Sequence, residues 1–340
     1  MKALVLDRLA AIEDGPLEYR EIDDPAVGPD EVLLRVSACG VCHSNLHLIE
    51  GDLKVYGIPS VLPIVPGHEV VGRVVGVGHG VKKKEEEDEG VQIGRRMGVS
   101  VIWSSCGRCE YCLSGDENLC PARVITGEHV DGGYAEYIRA KRDFVYPVPD
   151  GISDVDAATL FCPGVTAYRA VERARIEPGE SVMVIGIGGV GHFSVQFAKL
   201  RGARVTAVDL SKAQLELASE LGADAVALSS EVEEFVRSER PSKVIVHTPA
   251  PAAIELATKV VKSRGTILMA VFGQVPVGFG GEVSIVTSMA GTKSDLGRMM
   301  ELVSQGRVKV RATGYPLREG ADVLRRLKAG EVVGRAVLVP

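Results

Sequence analysis

Four of the chain's seven cysteines fall in one short stretch, Cys106-x2-Cys109-x2-Cys112-x7-Cys120. Thiolates at such spacings can wrap one tetrahedral Zn2+, each about 2.3 Å from the metal, in a closed site of the structural type. The residues between them include Gly107, Arg108, Ser114, Gly115, Asp116, Glu117 and Asn118, so little apolar surface is available to order the loop without a metal. A second set is dispersed: Cys42 in CGVCHSNLH, His68 in GHE and Cys162 in FCPGVT. Each alone is unremarkable. Together they offer two thiolates and one imidazole, the donor set of a catalytic zinc that keeps its fourth position open.

A third signal is Gly186-Ile187-Gly188-Gly189-Val190-Gly191. A GxGxxG run by itself is weak. Here it follows the apolar strand SVMVIG (181–186), opens a helix expected over 189–201, and is succeeded by the strand RVTAVD (204–209), which ends on Asp209. That is the dinucleotide fingerprint. Glycines let the backbone approach the pyrophosphate, the helix N-terminus meets its charge, and the acid accepts ribose hydroxyls. A carboxylate there repels a 2′-phosphate, which favours NAD(H) over NADP(H).

Two kinds of architecture must position these groups. Residues 1–150 read as short β segments broken by glycine, such as EVLLRVSA (31–38) and EVVGRVVGVG (69–78), the latter with valines near alternate positions. The charge block KKKEEEDE (82–89) between two such segments reads as a solvated hairpin tip. From 151 to 292, apolar strands such as KVIVHT (243–248) and GTILMAV (265–271) alternate with amphipathic helices, one of them over 211–221. That alternation marks a parallel sheet covered on both faces. Residues 293–340 open with a helix over 294–305, end in the strand GRAVLVP, and are expected to return to the N-terminal domain. The fold class is therefore α/β, with a mostly-β domain over 1–150 and 293–340 and a doubly wound parallel-sheet domain over 151–292.

A length of 340 residues suffices for two cores, and a net charge of −6 spread along the chain excludes a nucleic-acid footprint. No apolar stretch has the length of a signal peptide or a membrane span. A cytoplasmic location is expected, where thiols stay reduced and serve metals rather than disulfides.

The motifs GVCHS at 40–44, GHE at 67–69, the four cysteines, GxGxxG at 186–191 and GRAV at 334–337 occur in a telling order. In that order and over essentially its full length, the sequence resembles the zinc-containing medium-chain alcohol dehydrogenases. The resemblance implies a GroES-like catalytic domain beside a Rossmann coenzyme domain, one catalytic and one structural zinc, and a homodimer or homotetramer. It implies reversible hydride transfer between a small-molecule alcohol and NAD, giving an aldehyde or ketone. Cys42, His68 and Cys162 would hold the catalytic zinc, and Glu69 would lie near it and approach during ligand exchange. Ser44 would hydrogen-bond the substrate oxygen and pass its proton by way of the nicotinamide ribose to His47. His43 and Arg335 would contact the pyrophosphate, Thr166 the nicotinamide ring, and the backbone near Phe272 its carboxamide. Trp103 and Phe161 would line the substrate pocket, although core packing explains both equally well, and His129 is a lesser candidate for the same wall.

The chain also departs from the family pattern. Asn45 stands where the family usually has Asp; an amide there can still accept the N–H of His68 through its carbonyl oxygen, without the charge. Pro163 follows the ligand cysteine, GRRMG (94–98) replaces the usual Gly-Asp-Arg-Val, and Cys39 is left over as a small buried residue. Two other readings stay open. A zinc-free medium-chain quinone or enone reductase has no use for Cys42, His68 and Cys162. A non-catalytic NAD-sensing zinc protein has none for Ser44 and His47.

Overall fold

The strand that carries most of the first half forms where Val32, Leu34, Val36 and Ala38 turn inward at a period of two. In the computed structural model, which describes residues 1–59, 61–80, 90–232, 236–237, 239–276, 278 and 280–340, it is β3 (Glu31–Gly40). The charge block at 82–89 lies outside the described residues. Before β3 comes an antiparallel pair, β1 (Lys2–Leu6) and β2 (Leu17–Glu21). After it come α1 (His43–Glu50), β4 (Val70–Val77), β5 (Arg96–Val99), β6 (Ile102–Ser104), α2 (Glu110–Leu113), β7 (Val124–Ile125), β8 (Tyr137–Lys141), β9 (Val145–Pro147) and α3 (Asp154–Ala158). The chain continues through α4 (Pro163–Ala174), β10 (Ser181–Ile185), α5 (Gly191–Leu200), β11 (Arg204–Asp209), α6 (Lys212–Glu220), β12 (Ala225–Leu228) and β13 (Lys243–Val246). Then follow α7 (Pro251–Val260), β14 (Thr266–Met269), β15 (Ser284–Thr287) and α8 (Lys293–Ser304), and last β16 (Ala312–Pro316), α9 (Gly320–Lys328) and β17 (Arg335–Val339).

Two compact units result, Met1–Cys162 with Val310–Pro340, and Pro163–Lys309. These boundaries differ from the 150 and 292 expected from sequence, for a packing reason at each end. α3 lies on β3, β4, β16 and β17. Arg96 fastens its segment, donating from Nε to Asp154 at 2.8 Å and from Nη2 to the Ile152 carbonyl at 2.8 Å. The segment through Cys162 therefore stays with the first unit, and the unusual GRRMG is partly accounted for. α8 packs on α4, and Arg169 donates to Asp295 at 2.8 Å between them, which keeps that helix in the second unit. Only the chain beyond it returns to the first.

Among the described residues, the first unit is built on a seven-stranded sheet ordered β16-β17-β3-β4-β5-β9, with β8 also paired to β3. Its core gathers Leu4, Leu34, Leu48, Val70, Val74, Tyr134 and Leu338. The second unit holds a parallel six-stranded sheet ordered β12-β11-β10-β13-β14-β15. Met183, Ile185, Val244, Val246, Ile267 and Met269 fill its core, as continuous apolar strands require. Strand order reverses at β10, so the carboxyl ends of β10 and β13 flank the crevice where such sheets take ligands. β15 is largely exposed and holds only two apolar residues between Ser284 and Thr287, so no apolar run announces it, whereas β12 is the short apolar run AVAL with only Ala227 buried. No helix among the described residues is long and apolar enough to cross a membrane.

Candidate active site

Three segments of the first unit converge on one cluster. β3 delivers Cys42 just before α1; His68 and Glu69 lead into β4, which pairs with β3; Cys162 closes the segment after α3. The donor atoms of Cys42, His68, Glu69 and Cys162 all lie within 4.8 Å of one another. The two sulfurs are 3.9 Å apart. Two Zn–S bonds of about 2.3 Å at a tetrahedral angle put sulfurs about 3.8 Å apart, so the donors fit that metal. The thiols share protons unequally. The hydrogen bond from Cys162 holds Cys42 well below the usual thiol range, while the same bond and burial push Cys162 well above it. Burial works to lower His68, but the Cys42 thiolate overrides it and raises the imidazole to about 9. A metal displaces such protons, so the site couples metal binding to proton release.

Ser44 reaches this cluster, its Oγ 3.2 Å from Cys42 Sγ and 3.4 Å from His68 Nε2. His47, three residues on and thus on the same side of α1, pairs its Nδ1 with Asp52 at 2.7 Å and is half-buried. The rings of His43 and His47 are 5.9 Å apart. Glu69 has no exposed surface, and burial raises it to about 7 against the pull of Arg335. Arg335 Nη2 donates to both of its oxygens at 2.6 and 2.7 Å. The expected pyrophosphate contact thus starts from a guanidinium already engaged in a buried ion pair.

Asn45 does not meet His68 as expected. Its Oδ1 accepts the Tyr134 hydroxyl at 2.9 Å and the Cys42 N–H at 3.3 Å, leaving Nδ2 to face His68 Nδ1 at 3.4 Å. The tautomer that frees Nε2 to ligate carries its proton on Nδ1, and only the amide oxygen can accept that proton. Flipping the amide achieves this and forfeits the Cys42 N–H bond. Two aromatic candidates are also buried. Phe161 is fully buried against Tyr146, ring centroids 6.3 Å apart, and a Cβ on Gly98 would overlap its ring. Trp103 is buried beneath Lys141, whose Nζ sits 4.9 Å over the ring. Cys39 is buried, as expected, and Pro163 opens α4, where a missing N–H costs nothing.

The four-cysteine segment forms the second cluster, with its sulfurs within 4.8 Å of one another. Cys106 and Cys112 are 3.9 Å apart, Cys109 and Cys112 3.5 Å. Backbone N–H groups of Arg108 and Cys109 pull Cys106 down to about 6, readying it as a thiolate ligand.

In the second unit, the glycine run turns tightly between β10 and α5. Gly186 has φ +88°, and a Cβ on Gly191 would overlap the Gly186 carbonyl. Asp209 accepts the N–H of Ile187 at 2.7 Å and of Ser211 at 2.9 Å, so the acid braces the loop. A cleft of about 340 Å³ beside it is lined by Gly186, Asp209, Leu210, Thr248, Leu256 and Lys259. Gly188, Gly189 and Val190 complete the loop. Thr166 is buried in the first turn of α4, and Phe272 lies exposed just past β14.

One residue escaped the sequence reading. His129 turns its Nδ1 to the Ile125 N–H at 3.2 Å, whereas its neighbour Glu128 is the buried carboxylate. An acid inside the glycine-bounded GEHVDGG was the available signal.

Two family models match the chain, an alcohol dehydrogenase GroES-like domain over residues 28–150 and a zinc-binding dehydrogenase over 189–305. An alcohol dehydrogenase of Geobacillus stearothermophilus is 38% identical, covering 99% of each chain. The solved alcohol dehydrogenase of the hyperthermophilic archaeon Aeropyrum pernix superposes with a TM-score of 0.90 at 32% identity, covering 100% of both chains. The cobalt- and zinc-bound thermostable alcohol dehydrogenase of Pyrobaculum aerophilum does so at 0.89 and 30%, covering 100% of this chain and 99% of that one.

Proposed function

The chain belongs to the zinc-binding alcohol dehydrogenases, and from that premise we propose that it interconverts an alcohol and its aldehyde or ketone with NAD(H), on a zinc held by Cys42, His68 and Cys162. Its substrates are small-molecule alcohols or carbonyls. The observation that carries the reading is the convergence of two thiols and an imidazole from three separate segments around Ser44. When bound, Zn2+ would lower the pKa of the alcohol as a Lewis acid and NAD would accept the hydride.

The chain's own residues do the rest. Ser44 Oγ orients the substrate oxygen and accepts its hydroxyl proton while giving up its own toward His47, so the serine stays neutral. His47, on the same side of α1 with Asp52 behind it, hands protons to water. Glu69 and Arg335 cancel each other's charge beside the cluster, so the donor set is not repelled by a bare carboxylate. The glycine loop and Asp209 take the dinucleotide, with NAD preferred to NADP because the carboxylate disfavours a 2′-phosphate. Cys106, Cys109, Cys112 and Cys120 hold a structural zinc. A cytoplasmic homodimer or homotetramer completes the proposal, since reduced thiols are needed for both metals.

Metal analysis together with a panel of alcohols and ketones, each with NAD(H) and NADP(H), tests it. Two zinc ions per chain and alcohol turnover with NAD are expected. Full activity in a zinc-free preparation, or quinone reduction alone, would overturn it.

A further inference from the structure

Glu128 is a carboxylate that neither cysteine cluster uses. It is 6% exposed and, among the described residues, makes no side-chain hydrogen bond or ion pair. Its oxygens are not among the fully buried, unpartnered side-chain atoms, so the little surface the residue keeps reaches the carboxylate. A confined carboxylate without a protein partner is costly until a donor meets it. Glu128 lies outside the group of donor atoms gathered around Cys42 and His68, so it is not one more member of that set.

The turn that carries it is fixed by the segments that deliver two of those donors. Within the turn, the Gly127 N–H donates to the Val130 carbonyl at 2.8 Å and the His129 N–H to the Ile125 carbonyl at 3.0 Å. On one side the turn presses on the segment leading to His68. A Cβ on Gly127 would lie 2.7 Å from the Gly67 amide nitrogen, and the Gly133 N–H donates to the Gly67 carbonyl at 2.9 Å. On the other side it is tied to the segment ending at Cys162. Thr126 Oγ1 donates to the Ser100 carbonyl at 2.9 Å, and Ser100 Oγ to the Phe161 carbonyl at 2.6 Å. Glu128 is therefore built into the wall of the cluster. Burial raises its pKa, with the charges of His68 and Cys42 both felt there. Arg123 also acts on it but forms no ion pair with it, and its Nη1 is given to the Cys120 carbonyl at 3.1 Å.

We infer that Glu128 is a specificity group, whose carboxylate receives a second hydrogen-bond donor, hydroxyl or ammonium, carried by the substrate beside its reacting hydroxyl. The inference rests on the dehydrogenase reading and names the substrate class for that site. A plain alkyl alcohol would leave the carboxylate buried and unpaired, whereas a diol or amino alcohol satisfies it. Sites built to hydrogen-bond a substrate reject analogues lacking the group strongly, by about 10⁴–10⁵-fold in the strongest cases.

The test compares 1-butanol, 1,2-butanediol and 2-amino-1-butanol on the zinc-loaded protein. Wild type should favour a donor-bearing alcohol over 1-butanol at least tenfold in kcat/KM, and Glu128→Leu should reduce that ratio at least tenfold. Calorimetric titration of the same alcohols without dinucleotide should show the matching loss of affinity. Glu128→Gln, nearly isosteric, keeps an acceptor oxygen without charge. Retained diol preference in this variant assigns the hydroxyl, and selective loss of amino alcohol assigns the ammonium. Equal ratios in wild type and both variants, with zinc content unchanged, would overturn the role of Glu128. Preferential binding of a donor-bearing alcohol by wild type without turnover of any would uphold the carboxylate and sink the dehydrogenase reading.

Discussion

At the scale of single residues, Asn45 shows what a change of one atom imposes. Its oxygen serves Tyr134 and Cys42, and its nitrogen faces an imidazole that must present a proton there if Nε2 is to ligate. A carboxylate has acceptors at both ends, so Asn45→Asp could take the Cys42 N–H and the His68 Nδ1–H together and add charge to the imidazole. Partners behind a ligating histidine alter metal affinity by about 10–100-fold. The variant should release its catalytic zinc to a chelator more slowly by a factor in that range. Equal or faster release would mean that the amide already flips without cost. Ser44 makes a complementary case, since removing its hydroxyl leaves every donor in place. Ser44→Ala should cut turnover about 10²-fold, the scale of a positioned proton-transfer group, with zinc content intact. Unchanged turnover under limiting hydride transfer would exclude it. The donor residues themselves were readable because a metal dictates residue type. Which end of an amide faces an imidazole is a matter of three-dimensional competition, and Phe161 and Trp103 were undecided because an aromatic suits a pocket wall and a core alike.

At the scale of elements, the strand–glycine–helix unit was legible almost to the residue. Its geometry permits nothing but glycine at Gly186 and Gly191 and needs an acceptor at the end of β11. The structure adds that Asp209 braces the loop through the Ile187 N–H, besides the ribose contact proposed for it. Asp209→Gly removes both. NAD affinity should fall, and the ratio of NADP to NAD affinity should rise at least tenfold, as read by dinucleotide fluorescence titration. A variant that loses both dinucleotides in the same proportion would show that the acid is a brace only. The elements that stayed hidden are those held by neighbours rather than by their own pattern. β12 and β15 pair at the two ends of the sheet as four-residue strands with at most one buried side chain each, and their strand form comes from hydrogen bonding to β11 and β14.

At the scale of the whole molecule, the compact units divide at Cys162 and Lys309 and not at 150 and 292, because a boundary is set by what α3 and α8 pack against and not by a change in composition. The same sheet raises the question of assembly. β15 closes one end of it, and the strand SIVT carries neither charge nor proline to guard that edge. The Ser284 and Ser288 N–H groups donate to the Gly265 and Met269 carbonyls of the β14 side. By the two-residue period of a strand, the amides of Ile285 and Thr287 then point away from β14. Ile285 is also 38% exposed, an apolar residue on an open edge. A second copy adding its own β15 in antiparallel register would pair those amides about a two-fold axis, which makes a homodimer the expected unit of assembly. Ile285→Pro deletes one outward amide and none of the bonds to β14, so it should leave zinc content and dinucleotide binding in place while shifting the sedimenting species from dimer to monomer at micromolar concentration. A wild type that sediments as a monomer, or a variant that stays dimeric, would place any interface elsewhere on the surface.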